Sequence, residues 1–308
     1  MNGVAPGGAT PGRRRRLAPG WPGMVLIAPA LLVLLGVIGY PLVRAFIMSL
    51  HLNILIRPQL GQPFVGFDNY LKVLQSPYFL NSLWQTFVWT SVNLAGQMLL
   101  GLLIALLLNM TFPGRAFARG VMLIPWVVPS VVAVLTWRWM YDGQFGIINS
   151  WLMQLGIIER GVAWLGNTNT AMGAVLIESI WKGTPFVLVM LLAGLQAIPA
   201  ELIDSAKVDG ANSWQRFRFV TIPFLKPTLV IAATLTTIFT FNNFNSIWLM
   251  TEGGPLRATE TLTILTYKTA FQGFNMGEAT AIGVITFVIL FVFVAIFGRQ
   301  YIKAQMDT

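Results

Sequence analysis

A group of amides and aromatic rings interrupts one of the most apolar parts of this 308-residue chain. It consists of Phe241, Asn242, Phe244, Asn245 and Trp248. Carboxamides donate and accept hydrogen bonds, and aromatic faces pack against C–H surfaces, so the group offers what a sugar ring needs. Asn242 and Asn245 are three residues apart, which places them on one face if the segment is helical. The alternative is that the asparagines hydrogen-bond to neighbouring helices, at roughly 0.6–2 kcal/mol each.

A second apolar run carries two opposite charges four residues apart. Glu178 and Lys182 have the spacing of an ion pair on one helical face. An unpaired charge at bilayer depth costs at least about 2.5–3.5 kcal/mol, so we predict a structural pair. The alternative is that one or both side chains reach a polar substrate. Asn93 and Gln97 have the same spacing, and they either line the same cavity or connect two helices.

Catalytic chemistry is not indicated by the sequence. The chain has no cysteine and one histidine, which excludes disulfides, thiolate metal sites and histidine clusters. It has no G-x-x-x-x-G-K-[ST] phosphate loop. The net charge of +9 comes from basic residues spread among apolar runs, a pattern that fits the positive loops of a membrane protein better than a nucleic-acid surface. We therefore predict no catalytic, cofactor-binding or metal-binding residues.

The composition points to a membrane protein. Hydrophobic residues make up 56% of the chain and charged residues 10%, whereas soluble domains carry about 25% charged residues. A spanning helix needs about 20 mostly apolar residues, and we predict an all-α membrane protein with six such helices. Pro125 and Pro129 interrupt the third and predict a kink there. The six segments are Met24–Ser49, Leu83–Leu108, Val121–Trp137, Met172–Leu195, Pro227–Met250 and Ala279–Phe297.

The positions of lysine and arginine predict the orientation. If the N-terminus is cytoplasmic, 12 of the 20 basic residues fall in cytoplasmic segments. The positive-inside rule therefore favours two cytoplasmic termini. Residues 1–23 are rich in Gly, Pro and Ala around the run Arg13–Arg16, and we predict a disordered basic tail. Residues 24–308 are predicted to form one transmembrane domain, with its core at about residues 82–300.

A charged segment separates the fourth and fifth apolar runs. Gly210 stands where a left-handed residue would end a short helix. Asn212 or Ser213 can cap a second short helix, which Ile222-Pro223 would stop. The sequence thus predicts two short cytoplasmic helices joined by a glycine turn. They form either a hairpin on the lipid headgroups or a docking element for a cytoplasmic partner.

Residues 199–211, with the sequence P-A-E-L-I-D-S-A-K-V-D-G-A, resemble the EAA loop of ABC-importer permeases. The family loop reads E-A-A-x-x-x-G and forms the coupling helix that sits in a groove of the ATPase subunit. In this chain Asp204 replaces the usual Glu, so the carboxylate is one methylene shorter. The resemblance implies that coupling to the ATPase depends on Asp204, Ser205, Ala206, Asp209 and Gly210.

Three further stretches resemble the maltose-permease-like subunits of carbohydrate importers. Residues 64–70 resemble the F-x-G-L-x-N-Y segment after the first span, and residues 181–186 resemble the W-K-x-x-P-F motif of the fourth. Residues 249–255, with the sequence L-M-T-E-G-G-P, resemble the L-T-x-G-G-P turn after the fifth. The four motifs occur in family order over about residues 24–300. The order of features is more similar to the first of the two permeases in such transporters.

The resemblance implies a function, a location and a set of partners. The chain would form half of the pathway of an ATP-driven sugar importer in a bacterial or archaeal cell membrane. Its partners would be a second, different permease chain, two ATPase subunits that bind ATP and Mg²⁺, an extracytoplasmic sugar-binding protein, the carbohydrate and lipid, with no nucleic acid. This chain itself would bind no cofactor. Candidate residues of the substrate pathway are Asn242, Asn245, Phe241, Phe244, Trp248, Glu178 and Lys182.

Two other functions stay open at this point. A permease of the same class for another polar solute, such as a glycerol phosphodiester or an amino acid, is one of them. An anionic solute would make Lys182 or Arg138 a better candidate ligand. An ion-coupled secondary transporter is the other, and it would need buried acidic residues, for which Glu178 alone gives thin support. A membrane enzyme is the least favoured class.

Overall fold

A computed structural model describes the backbone of residues 21–306 and the side chains of residues 25–299, and long helices make up most of this part of the chain. The described part divides into two compact units between Ala45 and Phe46. Residues 1–20, most of the predicted basic tail, lie outside the described residues. The helices are α1 (Trp21–Leu34), α2 (Tyr40–Ser49), α3 (Asp68–Gln75), α4 (Pro77–Asn109), α5 (Arg115–Val127), α6 (Ser130–Met140), α7 (Ile147–Gln154), α8 (Ala171–Gln196), α9 (Ala200–Val208), α10 (Ser213–Arg216), α11 (Ile222–Phe241), α12 (Asn245–Thr251), α13 (Leu262–Tyr267) and α14 (Met276–Met306).

The predicted all-α membrane architecture is confirmed in the described residues. Five helical segments are long and apolar enough to cross a membrane, namely Val25–Ser49, Pro77–Asn109, Ala171–Gln196, Ser213–Thr251 and Met276–Arg299. The bent pair α5 and α6 makes a sixth crossing if it is one span, and its two halves meet at an angle of 92°. The predicted proline kink is therefore a break in the helix, as expected where a proline removes a backbone donor.

The fifth membrane segment begins earlier than the sequence predicted. We expected Ile222-Pro223 to stop the short helix before it, and this expectation is wrong. The chain passes from α10 through a π-helical turn, Phe217–Thr221, directly into α11. Pro223 lies near the start of α11, directly after the π-helical turn, and a local π adjustment of this kind lets a helix continue past a proline. One helical path therefore joins the charged segment to the membrane.

Glycines allow α4 and α8 to pack closely. A Cβ atom at Gly101 would lie 2.6 Å from Val187 Cγ1, and one at Gly183 would lie 2.4 Å from the Gln97 side chain. Small residues at helix interfaces let two backbones approach, which is the main source of packing energy inside a bilayer. The face of α4 that is buried repeats every three or four residues: Phe79, Ser82, Thr86, Trp89, Asn93, Gln97, Gly101, Ala105 and Leu108.

The loop between α12 and α13, residues 252–261, is held by a buried carboxylate, and we call it the clamped loop. Glu260 is fully buried. Its Oε1 accepts a hydrogen bond from Arg257 Nη1 at 2.5 Å, and its Oε2 accepts one from Lys268 Nζ at 2.8 Å. Ser82 Oγ on α4 donates a third, at 3.3 Å. The loop is thereby tied both to α4 and to the turn after α13.

Candidate functional site

The fifth span is interrupted at the asparagines that the sequence singled out. α11 ends at Phe241 and α12 begins at Asn245. The Nδ2 of Asn242 donates to Ile238 O at 2.9 Å, and Asn243 Oδ1 accepts from the backbone N–H of Ser246 at 3.1 Å. Asparagine side chains compete with the helical hydrogen bonds of the backbone, which explains the break at this point. Non-helical backbone at membrane depth is tolerated where it lines a cavity or is buried in protein.

The break opens onto a cavity of about 370 Å³. Four of the predicted pathway residues line it: Asn242, Phe244, Asn245 and Lys182. Asn242 and Asn245 do not share a helical face as predicted, because non-helical residues separate them, yet both side chains reach the same space. The other lining residues are Gln97, Trp126, Ser130, Ser179, Gly183, Phe186, Thr236, Phe239, Thr240, Asn243 and Ser246.

Three predicted pathway residues lie away from this cavity. Phe241 is buried and faces a separate apolar pocket between α4, α11 and α14. Trp248 stacks on Phe244, with ring centroids 5.3 Å apart, and also contacts Tyr267 at 4.6 Å. Trp248 thus packs against the ring of Phe244, which lines the cavity, without lining the cavity itself. Glu178 is fully buried and is not part of the lining.

The predicted ion pair between Glu178 and Lys182 does not form. Lys182 Nζ instead donates to two backbone carbonyls in the third span, Val128 O at 2.7 Å and Pro125 O at 3.2 Å. Neither carboxylate oxygen of Glu178 is hydrogen-bonded in the described part of the chain. The physical reason is that the break between α5 and α6 frees backbone acceptors, which attract the ammonium group.

Gln97 and Asn93 resolve the alternatives that their spacing left open. Gln97 lines the cavity, and its Nε2 donates to Asn93 Oδ1 at 3.1 Å and to Ser179 O at 3.3 Å. Asn93 is fully buried, and its Nδ2 donates to Trp89 O at 2.9 Å. Gln97 therefore lines the cavity and also connects α4 to α8. Asn93 does not line the cavity, and it orients the Gln97 side chain through their hydrogen bond.

Sequence reasoning missed all five hydroxyl residues of the cavity wall. The helical spacing of the lining residues in the sequence could have identified several of them. Ser179, Lys182, Gly183 and Phe186 follow an i, i+3, i+4, i+7 pattern on α8, and Thr236, Phe239, Thr240 and Asn243 repeat it in the fifth span. Extending the helical face of Lys182 by one turn in each direction would have found the first group.

The charged segment before α11 forms two short helices, which we call the coupling hairpin (residues 200–216). α9 ends at a turn in which Gly210 has a φ of +77°, a conformation that glycine adopts without steric cost. Asn212 caps α10 in a reciprocal capping box with Gln215. The predicted glycine turn is present, and of the two predicted cap candidates, Asn212 and Ser213, Asn212 is the cap. They give the hairpin a fixed shape from local interactions alone.

The coupling hairpin exposes charge and apolar surface together. Lys207 Nζ lies 2.7 Å from Asp204 Oδ1, and both side chains are more than half exposed. Val208, Trp214 and the following Phe219 are exposed by 88%, 68% and 71%. Ala206 is partly buried and Ser205 and Asp209 are exposed. Large exposed apolar groups are typical of a surface that meets another protein or the membrane.

Comparison with protein families decides the class of the protein. Residues 97–307 match the family described as "Binding-protein-dependent transport system inner membrane component". The chain belongs to this family. It is accordingly an integral membrane permease subunit of an ABC importer and a transport component rather than an enzyme. Family membership decides against the ion-coupled secondary transporter and the membrane enzyme.

Individual relatives cover nearly the whole chain. A probable ABC transporter permease protein of Brucella suis is 38% identical over 92% of this chain and 97% of the relative. The trehalose/maltose transport system permease protein of Thermococcus litoralis is 39% identical over 89% of this chain and 92% of the relative. A solved bacterial ABC transporter involved in the import of the acidic polysaccharide alginate matches with a TM-score of 0.79 and 22% identity, over 92% of this chain and 96% of that one. This last likeness concerns the fold.

Proposed function

We propose that the chain forms half of the translocation pathway for a carbohydrate, and that the solute passes the cavity at the break in the fifth span. The observation that carries the proposal is the lining of that cavity. The amides of Asn242 and Asn245 face the same space as the rings of Phe186 and Phe239, which contact each other edge to face at 5.4 Å. Amides suit sugar hydroxyls and aromatic faces suit sugar C–H surfaces.

The name of one relative agrees with this choice of solute. The Thermococcus litoralis permease, which carries trehalose or maltose by its name, aligns over most of both chains. In this chain the cavity wall also contains hydroxyl groups on α6, α8, α11 and α12, from Ser130, Ser179, Thr236, Thr240 and Ser246. A neutral, hydroxyl-rich solute therefore meets several donors and acceptors at once.

The energy for transport comes from partner subunits in this proposal. ATP and its Mg²⁺ bind to two ATPase subunits, and this chain binds neither. A second permease chain supplies the other half of the pathway, and an extracytoplasmic binding protein delivers the sugar. The coupling hairpin inserts into an ATPase groove, with Ala206 at the close contact, Ser205 and Asp209 at its edge and Asp204 facing a basic group. Gly210 provides the turn.

The orientation is proposed with both termini and the coupling hairpin in the cytoplasm. The basic residues support this choice through the positive-inside rule. The chain has no cysteine, so single cysteines can report sidedness. Asn167→Cys, in the loop before α8, should react with an impermeant thiol reagent outside intact cells, and Ser213→Cys in the hairpin should not. The reverse labelling would overturn the orientation and the docking role together.

Uptake measurements test the carbohydrate pathway. Asn242→Ala and Asn245→Ala should each raise the half-saturating sugar concentration roughly fivefold, the factor for one hydrogen bond of about 1 kcal/mol. Asn109→Ala, at the exposed end of α4, is the matched control and should leave uptake unchanged. The ATPase subunits should copurify with all three variants. Unaltered uptake in both single variants and in the double variant would refute the assignment.

A polar solute with an anionic group is the second candidate. Lys182 is the charged residue of the cavity lining, and Glu178 one turn away is not part of that lining. The cavity therefore carries a positive charge where an anion would pass. Competition of labelled sugar uptake by neutral and by anionic sugars distinguishes the two candidates, since only the correct class should compete at low concentration.

A further inference from the structure

The third span carries backbone acceptors that the helix cannot satisfy. Val128 has a ψ of 129°, in the extended region, as expected for the residue before a proline. Pro129 has no N–H, so Pro125 O loses the partner that it would have in a continuous helix. Val128 O, at the turn itself, lies outside the hydrogen-bond ladders of both α5 and α6. Unpaired carbonyls at membrane depth are costly, so the break requires a donor from elsewhere in the protein.

Lys182 supplies that donor. Its Nζ bonds to Val128 O at 2.7 Å and to Pro125 O at 3.2 Å, and three donors on an ammonium group allow two such bonds at once. The group also lies at the C-terminal end of α5, where the helix dipole favours a cation. Lysine side chains are expensive in a bilayer unless they are paired or hydrogen-bonded. The two bonds therefore give the unpaired carbonyls of the break a donor and give the ammonium group acceptors.

The geometry points to Lys182 as the positioning residue of the third span. We propose that its ammonium group joins the break between α5 and α6 to α8 and thereby fixes one wall of the cavity. Trp126 and Ser130, which flank the break, both line that cavity. Movement of the break would therefore change the shape of the wall. This role concerns the protein without solute and is independent of which solute is transported.

Thiol labelling of the assembled transporter tests the proposal directly. Ser130→Cys places a probe beside the break in a chain without other cysteines. With no sugar present, adding Lys182→Met should raise the labelling rate at least about tenfold, the factor for losing one of the two hydrogen bonds of the charged group. Lys182→Arg keeps donors and charge and should restore slow labelling. Lys182→Gln keeps a weaker donor, so its labelling rate should lie between those of the Met and Arg variants. The Gln variant also replaces the Met variant in this comparison if the Met variant does not accumulate.

A double variant separates this role from general packing. In Pro129→Ala the new N–H can bond to Pro125 O, so Lys182→Met should increase labelling much less in that background than alone. Equal effects of Lys182→Met in both backgrounds would overturn the proposal.

Uptake kinetics separate positioning from solute binding. In Lys182→Met the maximal uptake rate should fall while the half-saturating concentration stays unchanged. A raised half-saturating concentration with unchanged labelling at Ser130→Cys would instead make Lys182 a solute ligand, and the proposal would be wrong. Failure of the carbohydrate assignment itself would show in the Asn242 and Asn245 variants and leave the labelling result unaffected.

Discussion

The two loops at the ends of the fifth membrane segment differ in where their charges find partners. In the clamped loop, Glu260 is fully buried and bonds to Arg257 and Lys268 of the same chain. In the coupling hairpin, Asp204 bonds to Lys207 and to no other side chain in the part of the chain that the structure describes, and the side chains of Asp204 and Lys207 are 66% and 55% exposed. An exposed pair of this kind contributes little to stability, whereas a buried carboxylate must keep its partners.

The apolar side chains show the same contrast. The clamped loop exposes one large apolar residue, Leu256 at its tip, while Trp214 and Phe219 stand exposed beside Val208 at the coupling hairpin. The clamped loop therefore obtains its geometry from its own chain. The hairpin obtains only its local shape, through Gly210 and a capping box. Substitutions in the clamped loop should therefore lower the stability of the protein. Substitutions in the coupling hairpin should instead weaken its assembly with partner subunits.

The largest effect on stability is expected at the clamped loop. Glu260→Ala leaves two cations facing each other without an anion. Breaking a buried pair in this way should cost about 3 kcal/mol, the low end of the usual range, because Arg257 and Lys268 keep partial access to water. Thermal unfolding of the purified complex measures the change. An unshifted unfolding temperature would show that the clamp does not stabilise the loop.

An intermediate effect is expected at the turn of the coupling hairpin. A Cβ atom at Gly210 meets open space, so the cost of Gly210→Val comes from the positive φ alone, at roughly 1–2 kcal/mol. Retention of the ATPase subunits on purification should fall sharply. Gly210→Asn is the matched control, since asparagine tolerates a left-handed backbone and should retain them. Equal retention in the Val variant would mean that the turn does not position the docking surface.

The smallest effect on stability is expected at the exposed pair. Asp204→Ala should change the unfolding free energy by less than about 0.5 kcal/mol, as is usual for surface ion pairs. The same variant should nevertheless reduce ATPase-subunit retention, because the partner's basic group loses its anion. Asp204→Glu keeps the charge and should behave as the parent protein. A large loss of stability in Asp204→Ala would remove the contrast between the two loops.

The sequence predicted the helices better than it predicted their contacts. Apolar length alone located the spans, because a bilayer imposes that length on every crossing. Gly210 and Asn212 were recognisable because a turn and a cap depend on neighbouring residues only. The start of the fifth segment was missed because Pro223 was taken as a stop, whereas the π-helical turn before it lets the helix continue past the proline.

The cavity was predicted only in part, since residues of six helices form its wall. Asn242 and Asn245 stood out by residue type, but Ser179 and Thr236 look like ordinary helix residues until their neighbours are known. The pairing of Glu178 with Lys182 was wrong for a similar reason. Spacing on one helix suggested a partner, while the acceptors that Lys182 actually contacts belong to another span. Spacing alone does not reveal competition between acceptors.

The uninterrupted path from α10 through the π-helical turn into α11 has a mechanical consequence. From Ser213 to Phe241 the chain is helical throughout, a rod of about 43 Å at a rise of 1.5 Å per residue. The coupling hairpin lies at one end of this rod and the asparagine break at the other. A tilt of roughly 10° about the hairpin end would displace the cavity end by about 7 Å over that length. If this helical path moves as one body, it would act as a lever arm, and a small rotation at the proposed ATPase contact would be sufficient to reshape the cavity wall.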